Sequence, residues 1–555
     1  MGSVSAHFHR SSGLSGSLKL CWLTLIGMND ALPPLISALL NPALYTDMQP
    51  HAVARVELVE THGAWVLLAG ALAYKIKKPV RFPFMDFSTL ALRRQACETE
   101  IRVNRRFQQV DQPATQLYLG VLPIVGTPQQ PRWGQPGTVD AAQAIEFAVK
   151  MRRFDEAARL DHLCERGELT PEHMTGLARR MAAFQARAAV ADNGQPWGHA
   201  AAAMRWPRDN FATLRTALTE PADAAQVRAL SAWTEQRFNA IEPLLSRRRQ
   251  KARVREGHGD LHLANLVLVR GDHENSDSVL PFDAIEFNDG LRWIDVANDM
   301  AFAWMDLLGH GRPGLANVLL SAWLDASGDV SAPTVWTFFA SYRAGVRAKV
   351  AAIRLGQLGG VGTSSDAHAC LADARRYLAL AQDIAHPPAP QLVVTHGLSG
   401  SGKTWASSRW LAAEATGRAI RLRSDVERKR LHGVSALAPS GSGLNTGLYS
   451  PQAHGDTYAS LLQRTRMLLD DGWTVLVDAA FLRQQERTSF ATLAQTAGVP
   501  FHILACEAPL DVLRQRVTER QARGTDASEA TVAVLEQQLG WLEPLSTAER
   551  AVCLP

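Results

Sequence analysis

Residues 397–404 have the composition and spacing of a phosphate-binding loop, G-x-x-x-x-G-K-T. Glycines at such positions let successive backbone N–H groups turn inward and surround phosphate oxygens at the start of a helix. Lys403 would reach the β- and γ-phosphates of ATP, and the hydroxyl group of Thr404 would bind Mg²⁺. The alternative is a glycine-rich turn without a ligand, but the apolar run before the loop and the helical pattern after it favour phosphate binding. The predicted nucleotide-binding residues are Gly397, Leu398, Ser399, Gly400, Ser401, Gly402, Lys403 and Thr404.

Further along the chain, two carboxylates and three arginines have the types that phosphoryl transfer requires. Asp425 follows a predicted strand, where it could take the proton of an incoming hydroxyl group. Capping of the next helix is the alternative role for this residue. Asp478 lies at the mouth of the predicted strand TVLVDAAF and would bind Mg²⁺ or its water shell. Arg516, Arg520 and Arg523 lie on one predicted helix and could close over the transferring phosphates, although a solvated helix face is the alternative for each of them.

A second motif, HGDLHLAN at residues 258–265, has the H-x-D-x-x-x-x-N spacing of a kinase catalytic loop. Asp260 would orient or deprotonate an acceptor hydroxyl group. Asn265 would return on the same loop to bind Mg²⁺. Asp283, in the predicted strand run VLPFDAIEF, sits at the end of a strand, where a second carboxylate for the metal is expected.

The chemistry of this second motif also requires a lysine on a strand and a glutamate on the following helix. Lys75, in the run ALAYKIKK, is the predicted ligand of the α- and β-phosphates, and Lys77 on the same side of the strand is the fallback. Glu100, or else Glu98, on the predicted helix RRQACETEIRVNRR is the expected partner of that lysine. Ordinary solvated side chains are the alternative at all four positions. No glycine-rich loop precedes the lysine, because the run VETHGAWVLLAG has only two separated glycines.

Length and composition limit the possible classes of protein. A chain of 555 residues is too long for one hydrophobic core, so two or three domains are expected. The formal charge of +4 is small for this length and does not indicate a polycationic surface for nucleic acid. The six cysteines form no C-x-x-C pair, which predicts a reducing, cytoplasmic setting. The apolar run at 18–28 is shorter than the roughly 20 residues that a membrane-spanning helix needs.

The proline-rich run AHPPAP marks the clearest seam in the chain. Before it, short strands and one long helix are followed by a helical pattern from residue 141 onward, which predicts a two-lobed α+β domain. After it, strands and helices alternate, which predicts an α/β domain with a parallel sheet. No motif of either half uses residues of the other, so fragments 28–386 and 389–555 are expected to fold separately. The predicted divisions are 1–27, disordered or ahead of a true start at Met28; 28–384, the first domain; 385–390, the linker; and 391–555, the second domain.

On these motifs, residues 391–555 resemble the small P-loop kinases related to gluconate kinase, chloramphenicol phosphotransferase and the polynucleotide kinase domain. The resemblance rests on the P-loop, the S-D after the second strand, the run V-D-A-x-F and the lid R-x-R-x-x-x-R followed by D-A-S. Residues 28–384 resemble the aminoglycoside phosphotransferase family of kinase-like enzymes, and more closely its bacterial branch in which such a domain is fused to a P-loop kinase. The runs YKIKKPV, MDFSTL, LYLGVLPI, HGDLHLAN, FDAIEFND and WIDVANDMAF carry this second resemblance, which extends over nearly the whole chain.

The resemblance implies two phosphotransferase domains that use ATP and Mg²⁺ and pass the γ-phosphoryl group to a hydroxyl group of a small molecule. Nucleic acid and membranes are not expected partners, and the oligomeric state is left open. One alternative is a nucleic-acid end kinase in the second domain, which the S-D and the lid favour although no aromatic and basic groove is visible. Another is a first domain that only binds a nucleotide or ligand and regulates the second. The missing glycine loop favours that alternative, and the intact Asp260, Asn265 and Asp283 oppose it.

Overall fold

The structure is a computed structural model of the chain. It describes residues 32–49, 51–61, 63–82, 85–108, 115–192, 194–270, 277–360, 364–435, 450–523 and 528–554. The expectations for residues 1–27 and for a start at Met28 fall outside the described residues, as does the predicted lid turn after Arg523. Within the described part of the chain, no helix is both long enough and apolar enough to cross a membrane.

An antiparallel sheet and one long helix form the first lobe of the N-terminal domain. Its elements are α1 (Pro34–Leu39), β1 (Val56–Glu60), β2 (Ala64–Ala69), β3 (Leu72–Lys77), β4 (Arg81–Phe82), β5 (Met85–Asp86), α2 (Leu90–Arg105), β6 (Tyr118–Gly126), β7 (Pro131–Trp133) and β8 (Glu146–Arg152). Six of these strands pair in the order β1-β2-β3-β8-β6-β7. The hydroxyl group of Thr89 caps α2 by accepting a hydrogen bond from the N–H of Leu92. The sheet carries Lys75 on β3, and the helix carries Glu100.

Strand β8 corrects the expectation of a helical pattern from residue 141 onward. The strand pairs with β3 on one side and with β6 on the other, so it lies in the middle of the sheet. Its residues Phe147, Ala148 and Val149 are all buried. The surrounding sequence is rich in alanine and arginine and favours a helix, but pairing with two neighbouring strands is a tertiary effect that outweighs local propensity.

The second lobe is mostly helical. Its elements are α3 (Leu160–Glu165), α4 (Pro171–Arg187), α5 (Ala200–Ala217), α6 (Pro221–Gln250), β9 (Val254–Glu256), β10 (Leu266–Val269), β11 (Ser278–Pro281), α7 (Asp289–Arg292), β12 (Trp293–Asp295), α8 (Val296–Gly309), α9 (Pro313–Ser327), α10 (Ala332–Gln357) and α11 (Ser365–Ala385). The HGDLHLAN loop joins β9 to β10, and Asp283 comes just after β11. The two lobes together form the kinase-like α+β fold that the sequence predicts.

A parallel sheet with helices around it forms the C-terminal domain. Its elements are β13 (Leu392–His396), α12 (Lys403–Ala413), β14 (Ala419–Arg423), α13 (Ser424–Leu431), α14 (Pro451–Asp470), β15 (Thr474–Asp478), α15 (Gln484–Ala497), β16 (Phe501–Ala505), α16 (Leu510–Arg523), α17 (Val532–Leu539) and α18 (Thr547–Ala551). The strand order is β14-β15-β13-β16, and each pair is parallel. The carboxyl ends of parallel strands share one edge of a sheet, so the P-loop, Asp425 and Asp478 meet there. The predicted α/β fold is confirmed.

One hydrophobic core continues from the helical lobe into the C-terminal domain. Trp473, directly before β15, is fully buried, and its ring centroid lies 6.1 Å from that of Trp304 on α8. The indole Nε1 of Trp473 donates a hydrogen bond of 3.4 Å to the carbonyl group of Pro333. The guanidinium group of Arg418 lies 4.5 Å from the centroid of the same ring. A large aromatic side chain of the second domain is thus buried in contact with residues of the first.

Helix α9 also completes the edge of the parallel sheet. The side chain of Asn317 accepts a hydrogen bond of 2.9 Å from the N–H of Ala419, and Ser321 accepts one of 3.1 Å from the N–H of Arg421. Both N–H groups belong to β14, the edge strand. Gly314 on α9 approaches α12 so closely that a Cβ atom would lie 1.7 Å from a backbone carbonyl oxygen. These contacts join the two domains, although no sequence motif extends from one domain into the other. The expectation of separately folding fragments is therefore not supported.

Candidate functional site

A cavity of about 920 Å³ opens at the carboxyl edge of the parallel sheet. Helices α12, α16 and α17 and the loops after β14 and β15 surround it. Sequence-predicted residues from four separate segments line it together, namely Ser399, Gly400, Gly402, Lys403, Thr404, Asp425, Asp478, Arg516 and Arg520. A volume of this size is ordinary for a ligand pocket.

The P-loop has the backbone conformation that its glycines permit. Gly400 has a φ of +85°, and a Cβ atom at this position would lie 2.7 Å from the carbonyl oxygen of Leu513. Gly402 has a φ of +94° and caps the start of α12. The Nζ atom of Lys403 donates hydrogen bonds of 2.8 Å to the carbonyl oxygen of Gly397 and 2.7 Å to that of Leu398. The loop thus folds back around the lysine at the start of a helix, which is the arrangement of a phosphate-binding loop.

Opposite charges are balanced closely around this lysine. Burial lowers the pKa of the Lys403 ammonium group, and the carboxylates of Asp478 and Asp425 oppose part of that shift. Burial raises the pKa of the Asp425 carboxyl group, but Arg428 and Arg423 outweigh this effect and leave the pKa below its usual value. Asp425 therefore remains ionised near neutral pH. It lies in the first turn of α13 and makes no capping hydrogen bond there, so the capping alternative is not observed.

Asp478 has surroundings that fit a magnesium ligand. Its Oδ2 atom accepts a hydrogen bond of 3.1 Å from the hydroxyl group of Ser407 on α12 and lies 3.9 Å from Nε of Arg423. Thr404, at the start of α12, lines the same cavity. A carboxylate and a hydroxyl group beside a phosphate-binding loop are the hard oxygen ligands that Mg²⁺ prefers.

The predicted lid arginines lie on α16 above the P-loop. The Nη1 atom of Arg516 donates a hydrogen bond of 3.3 Å to the carbonyl oxygen of Gly400. One turn further on, Nη2 of Arg520 donates one of 3.2 Å to the carbonyl oxygen of Ala530. Both side chains line the cavity. The side chain of Arg523 lies outside the described part of the structure.

One wall of the cavity was missed by sequence reasoning. It is aromatic and ionic: Nε2 of His454 lies 2.8 Å from Oε1 of Glu486, and the ring of His454 lies 4.6 Å from that of Tyr458. Trp541 adds a third ring, and the guanidinium group of Arg483 lies 5.1 Å from the centroid of that ring. These residues come from α14, α15 and the segment after α17, so no local sequence motif predicts that they lie together. All of these residues line the same cavity as Asp425.

In the first domain, the predicted lysine and glutamate are paired. The Nζ atom of Lys75 lies 2.7 Å from Oε1 of Glu100 and 2.7 Å from Oδ1 of Asp283. Lys77, the fallback, contacts the other carboxylate oxygen of Glu100 and also Glu286. The two lysines therefore share one buried glutamate. Glu98, the alternative partner, instead pairs with Arg94 on the exposed face of α2.

The HGDLHLAN loop brings Asp260 and Asn265 together. The amide group of Asn265 donates hydrogen bonds to the backbone oxygen of Asp260 at 2.9 Å and to its Oδ2 atom at 3.0 Å. Sequence reasoning missed the two acids that hold this loop. The carboxylate of Asp299 accepts hydrogen bonds from the N–H groups of His258 (2.7 Å) and Gly259 (2.8 Å). The carboxylate of Asp306 accepts a hydrogen bond from the N–H group of Leu263. Their spacing on α8, two turns apart on one face, was the available signal.

A second cavity, of about 550 Å³, lies between the lobes of the first domain. Lys75, Asn265 and Asp283 line it, and the turn between β1 and β2 covers it with Thr61 and Gly63 although no glycine-rich motif is present. Asp260 is not among the lining residues, and its side chain has no exposed surface. The predicted nucleotide-binding and metal-binding residues Lys75, Asn265 and Asp283 thus meet at one pocket, whereas the predicted catalytic carboxylate of Asp260 is buried and hydrogen-bonded to Asn265.

Comparison with known proteins gives relatives for both parts of the chain. Residues 392–545 match the AAA domain family. Over 487 residues, the chain is 30% identical to the uncharacterized protein Rv2004c of Mycobacterium tuberculosis, with 88% of this chain and 91% of the relative covered. The uncharacterized protein Mb2027c of Mycobacterium bovis matches with the same identity, 30%, and the same coverage, 88% and 91%.

Solved structures give more distant similarities. A choline/ethanolamine kinase family protein from Mesorhizobium loti is 13% identical, with 63% of this chain and 97% of that chain covered and a TM-score of 0.36. The APS kinase CysC of Mycobacterium tuberculosis is 25% identical, with 26% of this chain and 78% of that chain covered and a TM-score of 0.20. The AAA match lies on the P-loop domain that the sequence predicts, and the structure has the predicted order of an α+β domain followed by an α/β domain with a parallel sheet.

Proposed function

The chain belongs to the same family as the mycobacterial protein Rv2004c, and from this premise we propose that it is an ATP-dependent phosphotransferase. Its P-loop site transfers the γ-phosphoryl group of ATP to a hydroxyl group of a small molecule, with Mg²⁺. The observation that carries this proposal is the convergence of the P-loop, Asp425, Asp478, Arg516 and Arg520 on one cavity. Phosphoryl transfer is catalysed mainly by positioning and by charge, and this set supplies both.

Each residue of the P-loop site has a role in this reaction. Lys403 and the P-loop amides hold the β- and γ-phosphates, while Arg516 and Arg520 close on the γ-phosphate oxygens. Thr404 and Asp478 would hold Mg²⁺, which offsets negative charge on the phosphates when it is bound.

Asp425 accepts the hydrogen bond of the acceptor hydroxyl group and takes its proton. The acceptor oxygen then forms a bond to the γ-phosphorus as the bond to the β,γ-bridging oxygen breaks, and ADP leaves.

The site wall formed by His454, Glu486, Tyr458 and Trp541 favours a compact acceptor over a nucleic-acid end. Rings and a carboxylate on one wall suit a small polar molecule with an apolar face. The test is incubation with ATP of either a metabolite extract or 5′-hydroxyl oligonucleotides. A phosphorylated small molecule is expected; phosphorylation of the oligonucleotides alone would reverse this choice.

The first domain binds a second nucleotide in the cavity lined by Lys75, Asn265 and Asp283. Glu100 holds Lys75 in place, and Asn265 and Asp283 would hold Mg²⁺. Whether this domain also transfers a phosphoryl group depends on Asp260. Its complete burial favours a second candidate, in which the domain binds a ligand and regulates the P-loop site without catalysis.

Replacing Asp260 with asparagine separates these two candidates. The substitution is nearly isosteric, and the new amide oxygen can still accept the hydrogen bond from Asn265, so the melting temperature should stay close to that of the wild type. If the first domain is catalytic, the Asp260→Asn protein will fail to form some of the phosphorylated products. The Lys403→Ala protein will still form those same products. Asp277→Asn, at an exposed position, is the control. If Asp260→Asn leaves every product unchanged, the first domain is a binding and regulatory domain.

A further inference from the structure

Ser407 lies in the second turn of α12, and its side chain is fully buried. Its hydroxyl group has three partners at hydrogen-bond distance. These are Nη1 of Arg421 at 3.2 Å, Oδ2 of Asp478 at 3.1 Å and the carbonyl oxygen of Thr404 at 3.1 Å. The proposed function assigns the side chains of Asp478 and Thr404 to Mg²⁺. Ser407 therefore contacts both residues from behind the cavity, which it does not itself line.

The chemistry of these partners decides where the hydroxyl proton of Ser407 goes. A guanidinium group can only donate, so Arg421 occupies a lone pair of the Ser407 oxygen. The single hydroxyl proton is then left for the carboxylate of Asp478 or for the carbonyl group of Thr404. A hydrogen bond to a carboxylate is roughly twice as strong as one between neutral groups, so the proton is donated to Asp478.

Arg421 is held in place by contacts on both sides of the domain boundary. Its backbone N–H group donates a hydrogen bond of 3.1 Å to Ser321 on helix α9 of the kinase-like domain. Its Nη1 atom donates a second one, of 2.6 Å, to the hydroxyl group of Ser408. Ser408 itself donates one of 2.7 Å to the carbonyl oxygen of Thr404. The two serines thus share Arg421 and Thr404, but within the described part of the chain only Ser407 contacts Asp478.

The carboxylate of Asp478 is held through one of its two oxygen atoms. Ser407 donates to Oδ2, and Nε of Arg423 lies 3.9 Å from that same atom. Among the described residues, these two side-chain contacts are both made by Oδ2, which leaves Oδ1 for a metal ion. Carboxylates that bind metals are themselves hydrogen-bonded to neighbouring groups, which fix their orientation. Ser407 stands in this relation to Asp478.

We infer that Ser407 is a positioning residue of the P-loop site. Its hydroxyl group, oriented by Arg421, holds Oδ2 of Asp478 so that Oδ1 is presented to Mg²⁺. The inference rests on the proposed function, since that function assigns Asp478 to the metal. The hydrogen bond between Arg421 and Ser321 also connects the kinase-like domain to this arrangement.

The test is binding of ATP by the full-length chain, measured by calorimetry with Mg²⁺ and again with a chelator. The component of binding that Lys403→Ala removes reports the P-loop site. In Ser407→Ala, the gain in ATP affinity that Mg²⁺ produces at this site should be about tenfold smaller than in the wild type, as for the loss of other groups that orient metal ligands. With the chelator, the affinity should equal that of the wild type.

Ser408→Ala is the matched control. It removes a neighbouring hydroxyl group that contacts the same arginine and the same carbonyl group but not Asp478. Its affinity for ATP should equal that of the wild type in both conditions. If Ser408→Ala loses as much Mg²⁺-dependent affinity as Ser407→Ala, the shared contacts with Arg421 and Thr404 explain the loss, and the inference is overturned.

Two further results for Ser407→Ala would overturn the inference. Equal weakening with and without Mg²⁺ would show a general structural role, and unchanged affinity in both conditions would show no role at all. The wild type separates this inference from the proposed function. If its Lys403-dependent binding is not strengthened by Mg²⁺, the assignment of Asp478 to the metal fails and the inference fails with it. If it has no Lys403-dependent binding of ATP, the proposed function itself fails first.

Discussion

Replacing Lys403 with alanine is expected to lower phosphoryl transfer at the P-loop site by ~10²-fold or more, as for the loss of other preorganised charge contacts. The ammonium group is hydrogen-bonded to the carbonyl oxygens of Gly397 and Leu398 in the P-loop, from which it can reach the β- and γ-phosphates. No other lysine lines this cavity among the described residues. Turnover is measured as ADP release in the presence of the acceptor.

The control for this variant is Lys251→Ala, which removes the same charge from an exposed position at the end of α6. Its turnover should equal that of the wild type. The Lys403→Ala protein should also retain its melting temperature within a few degrees, because the lysine makes hydrogen bonds only within its own loop. Normal turnover in folded Lys403→Ala protein would show that this loop is not the catalytic phosphate site.

Residues 389–555 expressed alone are expected to be unfolded or aggregated. The fragment would expose Trp473, which is fully buried in the whole chain, and truncation of such a side chain alone typically costs about 3–5 kcal/mol. It would also lose Asn317 and Ser321, which pair the outward N–H groups of the edge strand β14. An uncovered edge strand of this kind is a template for aggregation. Circular dichroism and gel filtration of the fragment test this expectation.

The matched control is the full-length chain with a protease site inserted in the linker at 385–390. After cleavage, the two pieces should remain together and retain the melting transition of the intact protein, because the shared core does not depend on the peptide bond. A fragment 389–555 that is monomeric and melts cooperatively on its own would contradict a shared core. The original expectation of two independent domains would then be restored.

Local motifs in the sequence predict much of the P-loop site because the chemistry there depends on short spacings. The P-loop residues are adjacent in the chain, Asp478 ends a strand, and Asp425 lies two residues after another strand. The apolar pattern of the sequence reveals both strands. In a parallel sheet the carboxyl ends of the strands lie at the same edge, so the residues that follow these strands are expected to lie close together. The acceptor wall could not be predicted in this way. His454 and Glu486 are on different helices and meet only through tertiary packing.

Sequence motifs also could not predict how the two domains pack against each other. A proline-rich seam indicates a change of chain direction, but it does not indicate whether the surfaces on either side pack together. Trp473 and Asn317 each look like ordinary core residues of their own domain in the sequence. Their partners lie more than a hundred residues away along the chain or across the seam, and pairing of that kind is fixed by complementary surfaces rather than by any local pattern.

The most direct test of the account follows the γ-phosphoryl group itself. ATP with heavy oxygen in the γ-phosphoryl group is incubated with the full-length protein, Mg²⁺ and a metabolite extract, and small molecules that gain a labelled phosphoryl group are identified by mass spectrometry. The account predicts at least one labelled product that is formed by the wild type and by Asp260→Asn but is lost in Lys403→Ala. A label that appears only in inorganic phosphate, or a set of products that Lys403→Ala leaves unchanged, would contradict the claim that the P-loop site transfers phosphoryl groups to a small molecule.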